Sequence, residues 1–423
     1  MKISLLKLSL SYIRRRKLNT FLNVLLLALG IATIVVLLLF SRQFEDSLTR
    51  NARGIDMVVG AKGSPLQLIL SSIYHLDVPT GNISLREAAR LLPNRAIRQA
   101  IPLALGDSYR GYRIVGTTPA YPALYAAELA AGNLWQQPLE AVAGAAVAAE
   151  LGLRPGVTIV SDHGFSSQGD HHGDHPLTIS GILAPSGTVL DRLILTGIPT
   201  IWKVHEEGGS EAGSDHDHEP VGDAAVALTL PKTDFHYAPA DSGRDITSLL
   251  IRYSAPMAAA TLPRLINART PFQSASPAFE TARLYNLLGV GVEALQAFGI
   301  ILIVTAALSI FIALYNALKE RRYDLAMMRS LGASRAKLGW HVMLEGLLLS
   351  LGGALGGLLL GHLAVEMLGS WLSEARQINL SGTVWLAEEV WLLLLAAGIG
   401  IISALLPAIQ AYRSDISGIL AER

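Results

Sequence analysis

Eight of the 11 histidines in this chain fall between positions 163 and 236, and most of them alternate with carboxylates. One run holds His163, then Asp170, His171, His172, Asp174 and His175; a second reads Asp215, His216, Asp217, His218, Glu219, with His205 and His236 nearby. Neutral imidazole and carboxylate are ligands for Zn²⁺, Ni²⁺ or Cu²⁺, and a loop can supply three or four of them. Glycine and serine surround both runs, which marks them as loops set between strands. Two readings stand side by side. In one the loops contact a metal, zinc first, through His163, His171, His172, His175, Asp215, His216, Asp217 and His218. In the other they are solvated polar loops with weak metal affinity.

Other chemistry is sparse. The chain has no cysteine, which removes thiol nucleophiles, disulfides and Cys-based zinc sites. The stretch 60–64, GAKGS, lacks the spacing of a phosphate-binding loop. His341 and Glu345 stand four apart without an H-E-x-x-H pattern, and a helix-packing role is expected for them. No nucleophile–base set is visible, so the chain is expected to be non-catalytic and to hold no cofactor beyond a loop-bound zinc. Net charge is +0, which gives no reason to expect a nucleic-acid partner.

The elements that must position these residues are dominated by lipid-compatible segments. Charged residues make up 16% and hydrophobic residues 51%; a soluble protein carries about 25% charged residues. A span needs about 20 apolar residues. Four stretches qualify: 21–41, 290–318, 342–368 and 390–409. The first is too long for a signal-peptide core and is followed by SRQFED rather than a small-residue cleavage site. The third is rich in glycine, which lets helix backbones approach closely in lipid. Pro407 lies at the expected end of the fourth.

Lys and Arg set the orientation. Lys2, Lys7, Arg14, Arg15, Arg16 and Lys17 precede the first span, and Lys319, Arg321, Arg322, Arg329, Arg335 and Lys337 lie between the second and third. The positive-inside rule then places both termini (1–20 and 410–423) and the 319–341 loop in the cytoplasm, with 42–289 and 369–389 outside. Segment 42–289 reads as an α+β domain. Strands are expected at 100–105, 112–116, 157–160, 177–183, 224–230 and 248–253, helices at 85–92, 142–151 and 257–268, and a division into two lobes is allowed. Charged, helix-compatible 42–53 and 279–293 would form stalks. The apolar stretch 66–73 is either a hook for lipid or a partner, or a piece of the domain core.

Between the second and third spans, Leu325, Met328 and Leu331 recur at i, i+3 and i+6, and Gly332 can end the helix at little steric cost. A short amphipathic helix of this kind lies on lipid or docks on a partner, and Met327 and Met328 suit an adaptable contact.

Residues 313–361, ALYNALKERRYDLAMMRSLGASRAKLGWHVMLEGLLLSLGGALGGLLLG, closely resemble the signature of FtsX-like permeases. The N-terminal LKLSLSYIRRRKLNTFLNVLLLALGIA resembles that family's basic amphipathic lead-in helix and first span, and ALLPAIQAYRSDISGIL resembles its last span and tail. Within the outer segment, YRIVGT at 112–117, LAAGN at 129–133, GLRPGVTIV at 152–160 and ISGIL at 179–183 resemble the MacB-type periplasmic core. The resemblance implies four transmembrane helices with a large α+β extracytoplasmic domain between the first two, in the bacterial inner membrane. It implies a membrane subunit that couples a separate cytoplasmic ABC ATPase dimer to work in the periplasm, ATP being bound and hydrolysed by that partner. It makes 319–341 a coupling element, with Glu320, Arg321, Arg322, Asp324, Leu325, Met328, Arg329, Leu331 and Gly332 as its contact residues. It further implies a second copy or a paralogous permease, and a periplasmic or outer-membrane partner. Export, lipoprotein or partner handling is the leading expectation. The alternatives are an FtsX-like scaffold that activates a cell-wall hydrolase and a metal-linked uptake or sensing module.

Overall fold

The computed structural model describes Ser9, Ser11 and residues 17–163, 175–205, 228–229, 232–375 and 380–413. The chain divides into two compact units, Met1–Phe44 with Asn286–Arg423, and Glu45–Tyr285.

The first unit is built on long apolar helices. Lys17–Asn51, Pro277–Glu320, Arg335–Ala375 and Glu389–Arg413 each include a stretch long and apolar enough to cross a membrane. Each expected span lies inside one of them, and the helices overrun it at both ends. The fourth does not stop at Pro407 but continues to Arg413. Proline removes one backbone hydrogen bond, a defect that membrane helices tolerate where neighbouring helices pack against it, and Pro407 is buried.

Close approach organises this unit. With lipid outside there is little hydrophobic drive between helices, so backbone proximity and van der Waals packing must supply the contact. Gly353, Gly357 and Gly361 recur every four residues and form one face of the third helix. A Cβ on Gly353 would lie 2.9 Å from the Leu27 side chain, one on Gly357 2.7 Å from the Ala28 carbonyl oxygen, and one on Gly361 2.7 Å from Val35. The same helix meets the fourth through Gly346, whose Cβ would stand 2.7 Å from that of Ala404. Polar groups close the end opposite the basic loop. Arg42 Nη2 donates to Glu388 Oε1 at 2.9 Å, Gln43 and Ser381 exchange two hydrogen bonds of 2.8 Å, and the His362 Nδ1 contact with the Gly382 carbonyl is 2.6 Å.

The second unit is an α+β domain. Among the described residues its main sheet has eleven strands, ordered Phe272–Ala275, Met57–Ala61, Ser248–Tyr253, Ile97–Tyr109, Tyr112–Thr117, Leu193–Gly197, Glu140–Ala143, Leu177–Leu183 and Leu129–Gly132, with Asp162–His163 and Thr158–Ile159 off this path. Two two-stranded sheets accompany it, Leu228–Thr229 with His236–Tyr237 and Ile83–Ser84 with Asp245–Ile246. Strands at 177–183 and 248–253 fall where the apolar runs predict them. The expected helix at 142–151 is instead the strand Glu140–Ala143 followed by the helix Ala145–Leu151. The break between them is Gly144, extended and so tightly packed against the Leu190 and Asp191 backbone that no side chain fits there. Of the expected strand at 224–230, Leu228–Thr229 is a strand and the remainder lies outside the described residues. The 66–73 stretch is core rather than a hook: the helix Pro65–Ser72 buries Leu68 and Ile69, and Ile73 after it is fully buried.

The two long helices that flank this domain reach it through neighbouring strands. Met57–Ala61 begins six residues after Asn51, and Phe272–Ala275 is separated from Pro277 by Ser276 alone. The two strands pair antiparallel, from Val58↔Ala275 to Ala61↔Phe272.

Candidate functional site

The stretch between the second and third long helices is a braced element. The second helix stops at Glu320, Arg321 leaves helical geometry with φ −100° and ψ 11°, and the short helix Arg322–Ser330 begins at once. Arg321 Nη1 lies 3.3 Å from both carboxylate oxygens of Glu345 on the third long helix, and both side chains are largely buried. His341, one turn earlier, is buried, with Nδ1 2.8 Å from Ser9 Oγ. The expected packing role of His341 and Glu345 is what the structure shows.

The ending of the short helix explains the L-G-A-S sequence. The Gly332 N–H donates to the Arg329 carbonyl at 3.0 Å and the Ala333 N–H to the Met328 carbonyl at 2.9 Å, while Gly332 has φ +94°. This is a Schellman ending, in which glycine takes the left-handed position without steric cost. Ser334 then caps the next helix, its Oγ accepting from the Lys337 N–H at 3.3 Å. Two helices are thus joined by four residues, each with an assigned backbone role.

The apolar residues of this element divide between two faces. Leu325 (4% exposed) packs into a cluster with Leu338, Val342, Ala408 and Ala411, and Met328 lies against the same cluster. Leu331, expected on that face, is 83% exposed, because the helix ends at Ser330 and the helical period no longer applies. Tyr323 (48%) and Met327 (43%) are exposed as well. The outward apolar surface is therefore Tyr323, Met327 and Leu331, with Glu320, Arg322 and Asp324 around it on exposed positions. Arg329 is half-buried, and its Nε and Nη1 atoms are buried without a hydrogen-bond partner.

Within the second unit, the last turn of the first long helix is held from three directions. Tyr74 Oη donates to the Leu48 carbonyl at 3.2 Å, Tyr125 Oη donates to the Asn51 carbonyl at 2.8 Å, and Asn51 Oδ1 accepts from the Val189 N–H at 3.0 Å. The Leu48 carbonyl also accepts from the Ala52 N–H at 3.1 Å, so Tyr74 adds a second donor there, whereas the Asn51 carbonyl, at the end of the helix, takes the Tyr125 hydroxyl in place of a helical partner. Sequence reasoning missed this joint, since its parts come from residues 51, 74, 125 and 189. Behind it, fully buried His75 sits with Nε2 2.9 Å from Tyr121 Oη. Burial, and secondarily the Arg113 guanidinium, pushes the His75 pKa down to about 3. The folded domain therefore holds His75 neutral, whereas the unfolded chain binds a proton below about pH 6.5. Stability from this residue is present above pH 6.5 and is lost as pH falls toward 3. Between pH 7 and pH 5 the loss is about 2 kcal/mol. His75 has φ 53°, a conformation asparagine tolerates. Thermal melts of wild type should fall over that pH range, and those of His75→Asn should fall clearly less.

Two family models divide the chain: that for the MacB-like periplasmic core domain matches residues 20–234, and that for the FtsX-like permease C-terminal region matches residues 297–416. The chain belongs to the FtsX-like, MacB-type ABC permease family. Among solved structures, the periplasmic region of MacB from Actinobacillus actinomycetemcomitans matches at 11% identity and a TM-score of 0.32, covering 56% of this chain and 98% of that one. The extracellular domain of the noncanonic ABC-type transporter YknZ from Gram-positive bacteria matches at 11% identity and 0.28, covering 52% and 99%. No curated protein matches the chain. The permease thus has four candidate membrane helices with a MacB-like periplasmic α+β domain between the first two. Permeases of this family are in general non-catalytic and work with ABC ATPases.

Of the candidate metal ligands in this permease, His171, His172, Asp215, His216, Asp217 and His218 lie outside the described residues. His163 ends the strand Asp162–His163, opposite Asp107 in the ladder, and His175 opens the following segment. Among the described residues no group of three or more His, Asp or Glu is arranged to hold a metal ion. His205 Nε2 is 3.2 Å from Asp107 Oδ1, and that hydrogen bond raises the His205 pKa against the opposing effect of burial.

Proposed function

We propose that this permease transmits the movement of a separate cytoplasmic ABC ATPase dimer to its periplasmic domain, with 319–341 and both termini in the cytoplasm. The observation that carries this reading is the short helix Arg322–Ser330. It is fixed to the membrane helices by Arg321–Glu345 and Leu325 and turns Tyr323, Met327 and Leu331 outward. A helix that only lay on lipid would need no such brace. ATP is bound and hydrolysed by the partner.

Movement would leave through the long helices. The first is clamped by Tyr74 and Tyr125, and the second continues from a strand paired with the one that follows the first. Both would load one edge of the same sheet. A two-copy permease, with a second copy or a paralogue, fits this scheme, and its work would be export or the handling of a lipoprotein or partner chain. Copurification from native membrane tests it: an ABC ATPase should be recovered with the permease, and recovery of a cell-wall hydrolase as the dominant soluble partner would favour the scaffold alternative.

A second reading, zinc-dependent regulation, rests on a convergence. His163, where one histidine-rich stretch begins, pairs opposite Asp107, and His205, where the other begins, contacts that same residue. The full-length protein should bind Zn²⁺ in calorimetric titration, and His163→Ala with His205→Ala should weaken binding about ten-fold. Wild-type affinity no tighter than high micromolar ends this reading.

A further inference from the structure

The third and fourth long helices leave an apolar groove of about 340 Å³ where the third begins and the fourth ends. Ala336, Gly339, Trp340 and Met343 line one wall, and Leu405 and Ile409 lie on the other. Trp340 and Tyr412, at its rim, are 63% and 48% exposed. An apolar channel with aromatic side chains at one end of a bundle has the chemistry of the acyl-to-headgroup transition of a bilayer.

Among the described residues, the charged side chains next to the groove are of one sign. Arg335 and Lys337 flank Ala336, Arg413 follows Tyr412, all three are exposed, and none of the described residues lining the groove is acidic. Apolar volume beside three cations matches a molecule with a hydrocarbon chain and a negative head. A two-fold-related copy seated there would bring its own cations against these. We propose that this groove is a site for an anionic glycerophospholipid of the surrounding bilayer, one acyl chain lying along Gly339 and Met343 and the phosphate held by Arg335, Lys337 and Arg413. The proposal requires only that these helices span a bilayer, and it stands apart from the coupling role of the neighbouring short helix.

Gly339 offers a direct probe. A Cβ there would meet the Ala408 carbonyl at 3.5 Å and the Tyr412 Cβ at 3.9 Å, ordinary contact distances, so Gly339→Leu can fill the groove without parting the helices. The experiment uses the full chain in detergent micelles with Trp371, Trp385 and Trp391 replaced by phenylalanine. Trp340 then reports, because Trp135 and Trp202 are buried in the other unit. Phosphatidylglycerol and phosphatidylcholine with brominated acyl chains serve as quenchers. Phosphatidylglycerol should half-quench Trp340 at a mole fraction about five-fold lower or more, from about five-fold per engaged cation. Arg335→Gln, Lys337→Gln and Arg413→Gln together should remove that preference while leaving phosphatidylcholine quenching unchanged, and Gly339→Leu should weaken quenching by both. Equal half-quenching by the two lipids overturns the proposal. So does an absence of quenching by either, which would mean that protein, a second copy included, covers the groove.

Discussion

Replacing Met327 and Leu331 together with aspartate should abolish stimulation of the partner ATPase while leaving the permease folded and abundant in the membrane. Both side chains face outward and contribute nothing to the cluster around Leu325, so the folded chain loses little. At a protein–protein contact, an exposed apolar anchor of this kind is worth about 2 kcal/mol, roughly thirty-fold in affinity. A carboxylate set into an apolar seat adds a desolvation cost of its own. The contrast is Leu325→Asp on the same helix, which puts a charge into a closed cluster and should remove the protein from the membrane altogether. ATPase activity of the reconstituted complex and its recovery on an affinity column separate the two cases. Undiminished stimulation by the double variant would mean that the outward face of this helix is not the contact.

The second large effect concerns Arg321 and Glu345. Removing one member of a buried ion pair leaves the other charge uncompensated and costs about 3–5 kcal/mol, whereas replacing both with apolar residues of similar volume is often neutral or better. Arg321→Met alone and Glu345→Leu alone should each lower thermal stability in detergent sharply, and the double variant should recover most of it. If the pair acts as a brace, the double variant should still couple poorly, since the angle between the second helix and the short helix would be set by packing alone. Single variants as stable as wild type would show that the pair carries no load.

Much of this architecture is legible in the sequence, and what is not legible has identifiable causes. Membrane helices announce themselves because lipid demands about 20 apolar residues in a row, and all four candidate spans follow from that requirement. Their extensions toward Asn51 and Pro277 follow the charged, helix-compatible stretches 42–53 and 279–293, whereas the run to Ala375 is harder to read, because outside lipid a polar helix and a polar loop have similar composition. The strands Leu177–Leu183 and Ser248–Tyr253 are β-rich runs bounded by turn or polar residues. Glu140–Ala143, Leu193–Gly197 and Phe272–Ala275 are four or five residues long, too short for a period, and alanine-rich 140–151 imitates a helix until Gly144 interrupts it.

At the candidate site the amphipathic pattern of Leu325, Met328 and Leu331 was visible. Its division between an inner and an outer face was not. Periodicity places residues on one side of a helix only as far as the helix extends, and Leu331 lies beyond its end. The Arg321–Glu345 pair and the Tyr74 and Tyr125 hydroxyls on the end of the first helix depend on contacts 24 to 74 residues apart, which no local pattern encodes.

The measurement that bears most directly on this account uses the chain's lack of cysteine. A single cysteine at position 331 should react with a membrane-impermeant maleimide in inverted vesicles but not in intact spheroplasts, and the ABC ATPase should protect it. Reaction from the periplasmic side would contradict the account, because ATP-driven movement would then have no route into the permease through this element.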